Sequence, residues 1–393
     1  MPYKVTLKKN EEKRILQGEA WVYANECAKI EAVGESRNGD IASVYSFDGR
    51  FIGKGYINHL SKILVRIFIR NEKQTADAEF FEEKIAFADA YRKKLGYDNC
   101  YRAVFGEADD LPGLVVDKYG DLLSIQILTL GMEQNRELIL DALEKHFRPR
   151  GIYERSDAEV RRREGLELKT GFARGEFDPV TVIEENGIKL IADLKNGQKT
   201  GYFLDQKENR FALRRYCRDS EVLDCFCNAG GFALNAAAGG AKSVIAADIS
   251  AKALADVKRA AELNGFENTV QTECGDVFEL LRGYRAEDRR FDVIVLDPPA
   301  FCKSASDVKN ALKGYRDINI QAMKLVRSGG FLVSASCTHF VTFPMFEQML
   351  AEAAASSGRR VKICEMKTQA PDHAAALGSG ESSYLKFFVL NIV

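Results

Sequence analysis

The sequence is poor in what would mark a secreted, metal-bound or membrane-embedded protein. Four histidines in 393 residues are too few and too dispersed for a zinc site. Nine cysteines are present, but they form no close-spaced framework. Cys225 and Cys227 have one residue between them, so they are no CxxC redox pair. Reduced thiols in a cytoplasmic protein are the expectation. No apolar run reaches the length of a membrane span, and "MPYKVTLKKNEEKR" holds no signal-peptide core. An excess of one charge is missing too: 56 Lys and Arg meet 57 Asp and Glu, for a formal charge of −1. Bulk charge therefore implies no nucleic-acid partner, although a local basic face can still serve one. The nicotinamide fingerprint GxGxxG is also absent.

What is present divides into three stretches. A chain of this length suggests two or three domains, and the expected boundaries are 1–72, 73–195 and 196–393. The first stretch reads as short strands and turns. "YKVTLKK" alternates, Asp48-Gly49 is a hairpin turn pair, and "KILVRIFIR" is a further strand. A helix is expected at about 79–95. The second stretch holds three strands, with turns at Pro112-Gly113 and Tyr119-Gly120, then a helix at about 133–146. A hairpin follows at Asn186-Gly187. "YERSD" and "REGL" are expected in a loop before the last stretch. From 221, "EVLDCFC", "KSVIAAD", "TVQTECGD", "FDVIVLD" and "GFLVSASC" are apolar runs of strand length, and helical patterns follow the first four. That alternation predicts an α/β fold with a mostly parallel, doubly wound sheet. "KFFVLNIV" closes the chain as a strand.

In such a sheet, ligands bind at the carboxyl ends of the strands. Asp224 ends the first run, and Asn228, Ala229, Gly230 and Gly231 make a tight loop into a helix. Glycine lets backbone approach a ligand, and a helix N-terminus favours negative charge. Cys225 and Phe226 are expected to face opposite ways on that strand, with Cys225 as small core packing. Asp248 ends the second run, where an acid can accept from a ribose diol. Asp276 ends the third, where it can accept from an adenine amino group. Asp297 ends the fourth, and Pro298-Pro299 stiffens the loop after it by fixing φ. The fifth run ends in Ser336, Cys337, Thr338 and His339. Core packing explains the thiol alone.

Nearly the whole chain resembles the class I S-adenosylmethionine-dependent rRNA large-subunit methyltransferases that make 5-methylcytosine. The matching stretches are "LVVDKYGDLL", "YERSD", "REGL", "NGQKTGYFLDQKENR", "VLDCFCNAGGFALNAAAGGA", "IVLDPPAFCKS", "GYRDINIQAMKLVRSGGFLVSASCTH" and "ESSYLKFFVL". Position and "LQGEAWVYANE" carry the N-terminal part. The resemblance implies a small β-rich PUA-like domain, a central α/β domain and a C-terminal Rossmann-like methyltransferase domain. It implies S-adenosylmethionine as cofactor, in a pocket made by Asp224, Phe226, Cys227, Gly230, Asp248, Asp276 and Asp297. Gln206 and Arg210 of "FLDQKENR" are implied to cover it. Large-subunit (23S-type) ribosomal RNA is the implied partner, with neither metal nor membrane; a homodimer is compatible with the chain.

Cytosine C5 is a poor nucleophile toward a methyl sulfonium. A thiolate added at C6 makes the ring an enamine and C5 reactive, which splits one hard step into easier ones. The chemistry requires a cysteine beside the ring and a group at N3 that offsets developing charge. Cys337 fits the first role and Asp297, protonated or exchanging a proton, the second. The resemblance places the nucleophile in the same "SC" motif. Cys302 stands three residues after the proline position that a second catalytic cysteine usually follows directly, so its part is open, as is the base that takes the C5 proton. A target base must be swung out of its stack. Lys4, Lys8, Lys9, Lys13 and Arg14, and Arg161, Arg162 and Arg163, are basic positions for RNA or for a solvated face. Two alternatives stand beside this reading: methylation of an exocyclic guanine or adenine amine, and a non-catalytic RNA-binding ribosome-assembly factor.

Overall fold

The computed structural model describes residues 2–302, 304–378 and 383–393. Lys303 of "IVLDPPAFCKS" and Glu381 and Ser382 of "ESSYLKFFVL" lie outside the described residues. The chain forms two compact units. One comprises 1–181, 193–204 and 371–382; the other comprises 182–192, 205–370 and 383–393.

The first unit holds two sheets. Tyr3–Leu7 alternates buried and open positions because YKVTL alternates apolar and polar residues. It pairs antiparallel with Cys27–Ala32 and parallel with Ile41–Tyr45. Phe51–Ile57, Ile63–Ile69 and Trp21–Tyr23 complete a six-stranded sheet. The Asp48-Gly49 turn lies between its fourth and fifth strands in chain order, with Gly49 at φ 85° as that turn requires. The second sheet has five strands, ordered Lys169–Arg174, Gly151–Ser156, Leu122–Ile127, Leu114–Tyr119 and Cys100–Phe105. Helices Ala78–Lys94 and Arg136–Phe147 pack on it. Tyr56, Phe68 and Ile69 of the first sheet share its apolar core.

"YERSD" is a correction. It is the buried strand Gly151–Ser156, not a loop, because Glu154 is satisfied by Arg136 at 2.7 Å and Arg155 by the carbonyls of Leu194 and Gly197. "REGL" does follow a short turn of helix. Its Glu164 is buried and accepts from Asn58, Ser61 and Arg66, so it fastens the two sheets together.

The second unit carries one seven-stranded sheet. Its strands are β1 (Glu221–Cys225), β2 (Ser243–Asp248), β3 (Val270–Cys274), β4 (Phe291–Leu296), β5 (Val326–Ser336), β6 (Val361–Lys367) and β7 (Lys386–Ile392). Their order is β3-β2-β1-β4-β5-β7-β6. The first five are parallel, and β7 runs antiparallel to both β5 and β6. α1 (Lys207–Leu213) precedes the sheet, and α2 (Gly231–Ala238), α3 (Ala251–Asn264), α4 (Val277–Ala286), α5 (Val308–Leu325) and α6 (Phe343–Ser357) alternate with the strands. The central strands carry apolar runs because helices cover both faces, as in β4, where Val293 to Leu296 are buried. β6 was not anticipated: "VKICEMK" is an edge strand with three of its seven residues exposed in succession, so the alternation that marks a half-buried strand is broken. The order reverses between β1 and β4, which brings their carboxyl ends together at the switch point.

Candidate functional site

Four acids stand at or just beyond successive strand ends, and the first three accept from backbone N–H groups. Asp224, near the end of β1, is 1% exposed. Its Oδ2 accepts from the Ala233 N–H at 2.9 Å, while Oδ1 has no partner among the described residues. Burial holds its carboxyl well above the usual carboxylate range, and the nearby charges of Asp297 and Asp248 add to the rise. β1 ends at Cys225, so Phe226 is not on the strand as the sequence suggested. Phe226 and Asn228 take left-handed backbone, with φ 61° and 48°. Such conformations are uncommon outside glycine and persist where surroundings impose them. Cys227 N–H donates to the Ala247 carbonyl at 3.0 Å, which ties the loop to β2. Burial pushes the Cys227 thiol up. Gly230 sits at φ 80°, and a Cβ there would lie 2.9 Å from Val257. Two constraints thus require glycine at the start of α2.

Asp248 ends β2. One carboxylate oxygen accepts from Asn228 N–H and the other from Ser250 N–H, both at 2.9 Å. Asp276 caps α4, with Oδ1 accepting from the N–H groups of Phe278 and Glu279. In both, the side chain is held still while lone pairs remain for a ligand.

Asp297 follows β4. Gln206 donates to its Oδ1 at 3.0 Å, and Gln206 in turn accepts from Asn209 at 2.7 Å. Part of the Asp297 surface meets solvent, yet protein crowds the carboxyl closely. That desolvation, with the charge of Asp205, pushes it up to about 7; Arg210 and the Gln206 hydrogen bond oppose the rise. Arg210 itself is buried and held by Glu185 in a two-bond pair at 2.6 and 2.7 Å. Its guanidinium is engaged by an internal acid, and its influence on Asp297 is electrostatic.

Cys337 lies one residue past β5. β4 and β5 are parallel neighbours, with Leu296 opposite Ser334. The Asp297 and Cys337 tips are therefore adjacent strand ends. Cys337 is partly exposed, whereas Cys302 is buried in the apolar core with its thiol donating to the Ser304 carbonyl at 2.8 Å. Ser336 and Thr338 both face the buried Tyr315 hydroxyl of α5, each at 3.0 Å. They anchor the loop that presents the thiol. His339 is exposed, its ring centroid 5.2 Å from that of Tyr384.

Three neighbours were missed from sequence. Lys386, the first residue of β7, is 2% exposed, and its ammonium donates to the carbonyls of Thr338 and Tyr384. Tyr384 donates to Asp205 at 2.6 Å. The signal for Lys386 was a lysine inside the apolar run "YLKFFVL". Asp205 and Tyr384 are far apart in the chain and gave none. Among the basic candidates, Arg161 is buried and donates to Glu133 and the carbonyls of Ile127 and Glu167, so it holds the fold rather than a ligand. Arg14 is bound to Glu26. Lys4, Lys8, Lys9, Lys13, Arg162 and Arg163 are exposed.

Two family descriptions match the chain: PUA-like domain over residues 5–70, and S-adenosylmethionine-dependent methyltransferase over residues 163–382. Proteins named ribosomal RNA large subunit methyltransferase I match along its whole length. That of Cronobacter sakazakii is 38% identical over 399 residues, covering 100% of both chains. That of Aeromonas salmonicida is 40% identical over 393 residues, covering 98% of each. A solved putative SAM-dependent methyltransferase from Streptococcus mutans superposes with a TM-score of 0.83 at 22% identity, covering 99% of this chain and 100% of that one. A putative methyltransferase solved in complex with SAH gives 0.84 at 21% identity, covering 99% and 100%.

Proposed function

The chain belongs to the S-adenosylmethionine-dependent methyltransferase family that includes the proteins named ribosomal RNA large subunit methyltransferase I, and on that premise we propose that it methylates C5 of a cytosine in large-subunit ribosomal RNA through a Cys337 adduct. The observation that carries this reading is the adjacency of a partly exposed thiol and a readily protonated carboxyl at neighbouring strand ends.

The acceptor set fits S-adenosylmethionine. That molecule brings an ammonium, a ribose diol and an adenine amine, all donors. Asp224 Oδ1 is a buried acceptor with no partner among the described residues, and Asp248 and Asp276 are fixed acceptors. We assign the cofactor to these three, with the loop of Phe226, Cys227 and Gly230, to Asp297 at the pocket's inner end, and to Gln206 and Arg210 beside it. Bound there, the cofactor supplies an electrophilic methyl group.

The protein's own groups handle the base. The Cys337 thiolate bonds to C6; the C5–C6 π pair moves to C4–C5, and charge develops on N3. Protonated Asp297 gives its proton to N3 and takes it back once C5 carries the methyl group. Loss of the C5 proton then expels the thiolate and restores the aromatic ring. With an Asp297 pKa of about 7, both protonation states are populated near neutrality. Residues 1–72 are the proposed RNA-binding domain, 73–195 the central domain and 196–393 the catalytic domain, and the cytoplasm is the proposed compartment.

The test is methyl transfer from labelled cofactor to large-subunit RNA, naked and as assembled subunits, with the product nucleoside identified. 5-Methylcytidine is expected. An N-methylated purine nucleoside would overturn the reading.

A further inference from the structure

Lys386 is a charged side chain buried to 2% exposure at the start of a strand. Charges so placed are rare unless paired. Lys386 lies opposite Ser336 in the antiparallel β5–β7 ladder. Its Nζ donates to the carbonyls of Thr338 and Tyr384 at 2.5 and 2.6 Å. Thr338 is the residue directly after Cys337. The ammonium is thus moored by the backbone of the loop that carries the thiol. Two carbonyls satisfy two of its three N–H groups.

We propose that Lys386 is a positioning residue that holds Cys337 as a thiolate, by keeping a fixed positive charge beside the loop and by clamping the loop's backbone. The proton leaves Sγ for solvent, which reaches the partly exposed Cys337; no other bond changes. The proposal rests on the reading of Cys337 as nucleophile, and it supplies what that reading lacks, a reason for the thiol to be ionised in the resting protein. Burial pushes the Lys386 ammonium down to about 8, and a charge on Cys337 opposes that fall. The interaction is reciprocal, so the ammonium and the thiolate stabilise each other.

Among the described residues, further charged or titratable groups stand on the elements around this corner. The β5 loop adds His339, whose ring lies tilted beside that of Tyr384. Tyr384 is bound to Asp205. α5 adds Tyr315, bound to Ser336 and Thr338. β6 adds Lys367 and Glu365, 3.8 Å apart. Asp297 stands at the β4 tip and is bound by Gln206. Lys386 is a buried cation bound directly to the backbone of the thiol's loop.

The experiment is alkylation of the full chain by iodoacetamide across a pH series, with the rate at each cysteine read by mass spectrometry. The exposed Cys274 and Cys364 are references within the same molecule. In the wild type, the half-maximal pH at Cys337 is expected below that at both references. Lys386→Met is expected to raise it by on the order of one pH unit or more, and Lys386→Arg to keep it low. A purely structural lysine would alter the rate at every pH without moving the midpoint. A wild-type midpoint at or above the references overturns the proposal even where Lys386→Met does not fold. An unmoved midpoint in folded Lys386→Met overturns it too. Neither result depends on RNA. A failure of the adduct mechanism appears instead as methylation by Cys337→Ala, so the two failures are separable.

Discussion

The two halves of the candidate site are built by opposite means. The half around β1, β2 and β3 is held by backbone: left-handed residues, a glycine that a Cβ would jam against Val257, and acids that accept from backbone N–H groups. The half around β4, β5 and β7 is assembled across the chain. Asp297 is bound by Gln206, Ser336 and Thr338 by Tyr315, and the Thr338 carbonyl by Lys386. One half presents fixed acceptors to a ligand carrying donors. The other, on the proposed mechanism, sets the protonation of the two groups that change state. Holding still needs only backbone N–H groups, whereas tuning a proton needs charges and burial from several elements.

This contrast breaks most visibly at Cys337. Cys337→Ala is expected to lower methyl transfer by more than about 10³-fold while leaving cofactor affinity unchanged in a direct titration. Comparable losses in both would mean that the halves are not separate.

Asp297→Asn is the next largest, with an expected loss of about 10²–10⁴-fold in rate. It also carries a pH signature. The folded carboxyl titrates near 7 against an ordinary value of 3.8. Between those values the folded chain binds a proton that the unfolded chain has released. The associated stability is fully present below the ordinary value and is lost as pH rises through about 7. Proton donation to N3 follows the same window, so the wild-type rate should fall above about pH 7, and the variant should lack that fall. A descending limb retained in Asp297→Asn would assign the titration to another group.

Asp248→Ala acts on the other half. Loss of a charged acceptor for two ligand hydroxyls is expected to weaken cofactor binding by about 10–100-fold. The alkylation midpoint of Cys337 should not move, since β1 and β4 stand between β2 and the strands β5 and β7.

The same contrast explains what could be read from sequence. The βα alternation, the Asn186-Gly187 and Asp48-Gly49 hairpins and the acids at strand ends are local signals, visible as apolar runs and punctuation. Phe226 was misplaced because left-handed backbone at a phenylalanine has no propensity signature. "YERSD" looked like a polar loop because the partners of Glu154 and Arg155 lie outside the segment. Arg161 looked like a ligand-binding charge for the same reason. Tyr315 became legible only when α5 was folded against β5, and Lys386 left a single sign, a lysine inside an apolar run. Local chemistry is written locally, and a proton-tuning network is not.

Tyr315→Phe is the smallest and most discriminating change. Tyr315 is fully buried, and its ring packs against Phe301 and Phe346. Phenylalanine keeps that packing and deletes one oxygen. Ser336 and Thr338, both essentially buried, then lose a shared partner. An unsatisfied buried hydroxyl costs about 1–3 kcal/mol, so the variant should unfold at lower urea with an unchanged slope. Cofactor affinity should hold, because no hydrogen bond among the described residues joins the β1 and β2 loops to this cluster. Methyl transfer should fall several-fold as the thiol loop loosens. Cofactor affinity falling in step with transfer would show that the two halves, built by different means, are nevertheless one cooperative unit.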